Sequence, residues 1–158
     1  MNYSKVFLSL GTNLGNREKN ISNCLNQLEK ISEIKNISKI YETIPYKVEI
    51  EQENFLNLAV EINFFDSVEN LLIQINKIEK ELGRVRSSIR NEPREIDIDI
   101  IFFADQIINE KDLIVPHPRF RERLFVLEPL NDIAPKFLDP ITNKTVSELL
   151  INAQNSSY

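Results

Sequence analysis

From Phe55 to Phe64 every second residue is a large apolar one. Leu56, Leu58, Val60, Ile62 and Phe64 fall on one side, and Phe55, Asn57, Ala59, Glu61 and Asn63 on the other. A period of two predicts a strand with one face in a core. Val6–Leu10 predicts a buried strand ending in a turn at Gly11–Gly15, and Ile37–Thr43 predicts a second strand. Helical spacing replaces alternation at Ile21, Cys24, Leu25, Leu28 and Ile31, and again at Val68, Leu71, Leu72, Ile75, Ile78 and Leu82. Asp66-Ser-Val-Glu69 reads as a capping-box-like start for the second helix, and Gly83 as its C′ residue. Ile44–Glu53 and Ser87–Glu95 lack a period and read as loops.

Beyond a fourth strand around Ile96–Ile100, Asp105-Gln106 suggests a turn and Val115–Arg119 an extended segment. Leu124–Ile133 and Thr145–Ile151 read as short helices, followed by a polar, frayed tail from Asn152. The order β-α-β-β-α-β with a mixed tail predicts an α+β, ferredoxin-like sandwich. Its helices cover one face of an antiparallel sheet, and the other face is expected to be free for a site. The 158 residues are expected to form one domain with a C-terminal extension, 1–158.

Composition narrows the function classes. A net charge of −5 argues against a nucleic-acid partner. No apolar run has the length of a membrane span, and Met-Asn-Tyr-Ser-Lys lacks a signal-peptide pattern, so a cytoplasmic protein with no membrane partner is expected. The single cysteine, Cys24, lies in a helical stripe and reads as core, not nucleophile.

Candidate chemistry concentrates in Pro93-Arg-Glu-Ile-Asp-Ile-Asp-Ile100. Residues two apart on a strand share a face, so Asp97 and Asp99 stand side by side. Like charges so placed repel unless a cation lies between them. Magnesium suits two carboxylates, because it completes its shell with water and phosphate oxygens. Of the eight arginines, seven lie between Arg84 and Arg123, whereas ten of the eleven lysines lie elsewhere. Arginine is the residue for bidentate phosphate recognition. Alone, an Asp-x-Asp pair reads as a solvated acidic strand. With the arginines segregated beside it, the pair reads as a phosphoryl-transfer site. Phe55 on the polar face of its strand, Phe125 after the arginines, and Asn57 between them would suit a flat heterocycle.

These blocks resemble 6-hydroxymethyl-7,8-dihydropterin pyrophosphokinase of folate biosynthesis. The resemblance runs through Gly11-Thr-Asn-Leu-Gly15, Tyr41-Glu-Thr-Ile-Pro45, Phe55-Leu-Asn57, Glu79–Arg86, Pro93–Asp99 and Pro116–Phe125. It implies transfer of the β,γ-pyrophosphoryl group of ATP to the pterin hydroxymethyl oxygen, with release of AMP. It also implies that Asp97 and Asp99 hold two magnesium ions and that Arg84 and Arg94 close on the nucleotide. Glu79, Arg86, Ile100, His117 and Arg123 are the implied ATP contacts. Gly11, Thr43, Tyr46, Phe55, Asn57 and Phe125 are the implied pterin contacts. A monomer is expected.

The chain departs from the family in three places. Asn91 and Glu92 stand where an aromatic and a small residue are common, and Asp112 stands where basic or polar residues are common. The competing readings are a non-catalytic ferredoxin-like module for a small molecule or nucleotide, and a transferase acting on another heterocyclic alcohol.

Overall fold

The computed structural model describes residues 2–44, 53–83 and 95–156. Its core is a sheet of β1 (Ser4–Thr12), β2 (Glu33–Ile37), β3 (Tyr41–Thr43), β4 (Phe55–Phe64) and β5 (Asp97–Phe103). The order is β2-β4-β1-β5, with β3 also paired to β4, and every pairing is antiparallel. This is the expected ferredoxin-like sheet, in which each split βαβ unit leaves room for the other's strand.

Helices α1 (Arg17–Ile31) and α2 (Val68–Glu81) lie on one face. Ile21, Cys24 and Leu28 of α1 and Leu71, Ile75 and Ile78 of α2 meet Leu8, Leu10, Leu58, Val60 and Ile98 of the strands. Both helices start on side-chain caps. Asn16 accepts the Lys19 N–H, and Ser67 accepts the Asn70 N–H. The second cap is therefore Ser67 with Asn70, and not a box closed by Glu69. Gly83, at φ +98°, ends α2 in the left-handed conformation that favours glycine.

The predicted second strand, Ile37–Thr43, holds only the last residue of β2 and all of β3; the rest of β2, from Glu33, was not predicted. Ser38 ends β2, where its N–H donates to the Ala59 carbonyl and its hydroxyl accepts the Ala59 N–H. The chain then rejoins β4 as β3, one register further on. β1 also runs further than predicted, so Gly11 and Thr12 are strand residues and the turn begins beyond them.

The second face of the sheet is not fully open. Helices α3 (Leu124–Ile133) and α4 (Val146–Ser156) cover half of it. Val126, Leu127, Leu130, Val146 and Leu149 pack there on Phe7, Ala59, Ile101 and Phe102. A register slip between Phe7 and Leu8 against β5 brings both Ile101 and Phe102 into this second core. The tail expected to fray is the last turn of α4 as far as Ser156, anchored by buried Ala153. Strands β6 (Ile108–Glu110) and β7 (Leu113–Val115) form a separate hairpin that the pattern did not predict. Among the described residues, no helix is long and apolar enough to cross a membrane.

Candidate active site

The uncovered half of the second face is polar, and strand register defines it. Asn57 on β4 pairs with Gly11 on β1, and Gly11 pairs with Asp97 on β5. Tyr41 on β3 extends this row behind Asn57. The next row is Ala59, Ser9 and Asp99. Directly opposed residues share a face, so both aspartates look out beside the Asn57 amide. Thr43 and Phe55 pair at the end of β3 and β4.

Asn57 is buried and held in place. Its Nδ2 donates to the Thr43 hydroxyl at 2.7 Å and to the Tyr41 carbonyl at 3.4 Å. Its Oδ1 and the Phe55 ring edge border the space above Gly11, at 3.4 and 3.7 Å from where a Cβ would stand. The glycine leaves a recess between an amide and an aromatic ring. Tyr41 hydrogen-bonds both Asp132 carboxylate oxygens, at 2.8 and 2.9 Å, and so ties β3 to α3. Burial and that carboxylate push its phenol up to about 12. Phe125 opens α3, half exposed, with the Arg123 guanidinium 5.7 Å from its ring centre.

Asp97 and Asp99 are half-buried, and among the described residues no third His, Cys, Asp or Glu joins them to complete a metal cage. Two adjacent carboxylates fit magnesium, which keeps water and phosphate ligands. Glu79 supports this strand from α2. It is buried, and its Oε2 accepts the Ile98 N–H between the two aspartates at 2.8 Å.

Outside β5 lies a cavity of about 300 Å³, walled by Leu72, Ile98, Ile100, Leu113 and Ile114 and rimmed by Asp99, Lys111, Asp112 and His117. Ile100 and His117 thus meet at one pocket. The His117 N–H donates to the Ile101 carbonyl, and its Nδ1 accepts the Arg119 N–H at 3.2 Å. With Nδ1 accepting, the neutral ring carries its proton on Nε2, which can act as a donor. Burial and then Arg123 lower its pKa to about 4, against an opposing pull from Asp97.

The residues after Gly11 bond to backbone carbonyls just before β4 and β5. Thr12 donates from its hydroxyl to the Glu95 carbonyl, Asn13 donates to the Glu53 carbonyl, and Arg17 donates to the Asn54 carbonyl. Tyr46, Arg84, Arg86, Asn91, Glu92 and Arg94 lie outside the described residues. One arginine of the cluster is committed elsewhere, since Arg121 grips Asp139. Sequence reasoning missed Ser9 opposite Asp99, the Tyr41–Asp132 tie and the apolar pocket walls on β7. Three-residue strands are too short to show a period, and the Tyr41–Asp132 tie spans 91 residues.

A paired-carboxylate floor, a cationic segment and an apolar cavity on a ferredoxin-like sheet are the groups that a phosphoryl-transfer site would need. Residues 7–135 match the 7,8-dihydro-6-hydroxymethylpterin-pyrophosphokinase (HPPK) family, and the chain belongs to it. The family consists of ATP-dependent pyrophosphokinases, transferases of folate synthesis.

The 2-amino-4-hydroxy-6-hydroxymethyldihydropteridine pyrophosphokinase of Aquifex aeolicus is 40% identical over 143 residues, covering 90% of this chain and 88% of that protein. Folic acid synthesis protein FOL1 of Dictyostelium discoideum is 42% identical over 150 residues, 95% of this chain, and the match spans only 22% of that longer protein. A Plasmodium falciparum HPPK-DHPS crystal structure with pteroate matches the fold at TM-score 0.77 and 19% identity, covering 96% of this chain and 44% of that one.

Proposed function

We propose that this chain transfers pyrophosphate from ATP to the hydroxymethyl group of 6-hydroxymethyl-7,8-dihydropterin, releasing AMP. The observation that carries the reading is the row Asn57–Gly11–Asp97. It sets a heterocycle-binding amide two strand spacings, roughly 10 Å, from a metal-binding carboxylate. A pterin seated in the Gly11 recess would extend its hydroxymethyl arm toward Asp97.

In this reading Asn57, fixed by Thr43, hydrogen-bonds the pterin ring edge, and Phe55 and Phe125 cover its faces. Gly11 and Tyr46 complete the pterin site. Asp97 and Asp99 would hold two magnesium ions, whose chemistry is charge neutralisation on the triphosphate and activation of the attacking hydroxyl. Ile100 packs against the nucleotide, and Arg86 contacts it. His117 donates from Nε2 to a phosphate oxygen, and Arg123 adds charge beside it. Glu79 acts through Ile98, fixing the aspartate strand. Arg84 and Arg94 close on the phosphates and stabilise the transition state. Positioning and charge suffice, because in-line phosphoryl transfer needs no covalent enzyme intermediate. The chain works as a single-domain monomer in the cytoplasm.

The test is direct. The protein is mixed with magnesium, ATP and hydroxymethyldihydropterin, and AMP is measured against ADP. Stoichiometric AMP and pterin pyrophosphate are expected. ATP binding without AMP would leave the non-catalytic binding module as the reading.

A further inference from the structure

The most buried carboxylate in the described residues has no part in the chemistry above. Asp139, with no solvent exposure, lies in the turn between α3 and α4. Arg121 reaches it with a fork, Nε to Oδ2 at 2.6 Å and Nη2 to Oδ1 at 2.9 Å. The Thr142 hydroxyl donates to Oδ2 at 2.7 Å and the Ile141 N–H to Oδ1 at 3.1 Å. Burial would raise its pKa, but hydrogen bonds from Arg121, Thr142 and Ile141 hold it below the usual carboxylate range.

Arg121 belongs to the 3-10 turn Phe120–Glu122, in the middle of the segment His117–Arg123. That segment is fixed to β5 at one end, by the His117 N–H on the Ile101 carbonyl. Phe120 plugs it into the second core, edge-on to Phe102 at 5.1 Å. An apolar plug holds position but not direction, because burial is non-directional. A bidentate guanidinium–carboxylate pair supplies direction. Arg121 also lies 4.6 Å from the Phe120 ring centre, so plug and fork act on one turn.

We propose that Asp139 is a positioning residue for nucleotide binding: by gripping Arg121 it orients the arm that presents His117 and Arg123 beside Asp97 and Asp99. Asp139 touches neither substrate and takes no proton. It also keeps Arg121 from competing for the phosphates. The proposal rests on the ATP-dependent reading above.

The test uses the full chain, with Asp139→Asn and Arg121→Lys compared with wild type for AMP formation. Assays are run where circular dichroism shows each protein folded. The asparagine keeps the size and one acceptor oxygen but puts an amide NH2 in place of the other, so it cannot accept a charged fork. The lysine keeps the charge and loses the fork. Both variants are expected to raise the KM for ATP roughly tenfold and to change kcat by less than about threefold, the signature of lost binding orientation. Asp139→Glu, which keeps a carboxylate, is expected to recover part of the loss.

Folded variants with the wild-type KM for ATP would overturn the proposal and leave Asp139 a purely structural group. If Asp139→Asn does not fold, Arg121→Lys decides by the same criterion. If wild type forms no AMP, the functional reading fails, and calorimetry of ATP on the same variants still decides the role of Asp139.

Discussion

Replacing Gly11 with alanine separates the fold from the recess it builds. An added Cβ would stand 3.4 Å from Asn57 Oδ1 and 3.7 Å from Phe55 Cδ1, ordinary contact distances. Gly11 is not among the positive-φ glycines, which are Gly15 and Gly83, so an L side chain costs no backbone strain. Removing a glycine from the unfolded chain stabilises by about 0.4–1 kcal/mol. The melting temperature should therefore hold or rise by roughly 1–4 °C for a chain of this size. The methyl group would nevertheless fill the space between the amide and the ring, where the pterin is proposed to lie. Overpacking of a close-fitting site costs about 1–3 kcal/mol. Pterin affinity should then fall by roughly tenfold to a hundredfold. Calorimetry with the dihydropterin and a non-hydrolysable ATP analogue measures this, and ATP affinity should be unchanged. An intact melt with undiminished pterin affinity would place the ligand elsewhere. A melt lowered by many degrees would show that the recess has no room for a methyl group.

The remaining predictions concern the strand beside it. Asp97→Asn and Asp99→Asn should melt near wild type and lose at least roughly a thousandfold in AMP formation, as when a charge clamp is removed; near-normal turnover at saturating magnesium would refute the metal assignment. Glu79→Ala leaves the buried Ile98 N–H without this acceptor and should cost about 1–3 kcal/mol in a urea titration, most of it recovered by Glu79→Gln; equal stability of the two would show that the bond has no net effect. His117 titrates at about 4 in the folded chain, below the 6.5 of an unperturbed ring. The unfolded state therefore takes up the proton first as pH falls, and stability should decline from about pH 6.5 to 4. His117→Gln should remove that part of the decline, and identical pH slopes in the two proteins would contradict the buried neutral ring.

The sheet was legible where its long strands carry a period of two, as in β4, or a buried apolar run, as in β1. Phe55–Phe64 was read at its observed bounds, and the two main helices declared themselves through their stripes and the Gly83 stop. Failures came where a local signal competes with a distant partner. Ile37–Thr43 looks like one strand, but β2 starts earlier, at Glu33, and ends at Ile37, where the Ser38 hydroxyl takes the place of a ladder acceptor against Ala59. Phe7, Ala59 and Ile101 lie on the face that was expected to be free for a site. Only α3 and α4, brought back from 20 and more residues further along the chain, show that they are half of a second core. The β6–β7 hairpin has three-residue strands, too short for any period.

The candidate site divides along the same physical line. Asp97 and Asp99 were legible because two charges on one strand face are a local cost that asks for a cation. Phe55 was legible as an aromatic residue on the polar face of its strand, with Asn57 beside it on that face. What sequence could not give is how charges are shared out among partners. Seven clustered arginines read as one phosphate-binding set, yet Arg121 is claimed by a carboxylate 18 residues away, and Arg123 beside it lies near Phe125 and depresses the His117 pKa. Residue type declares the chemistry a segment can do, but the burial of a partner decides which members of the set remain available to do it. Asp139, with no exposure and four hydrogen bonds, removes Arg121 from that set and, on the proposal above, thereby orients the arm that carries His117 and Arg123.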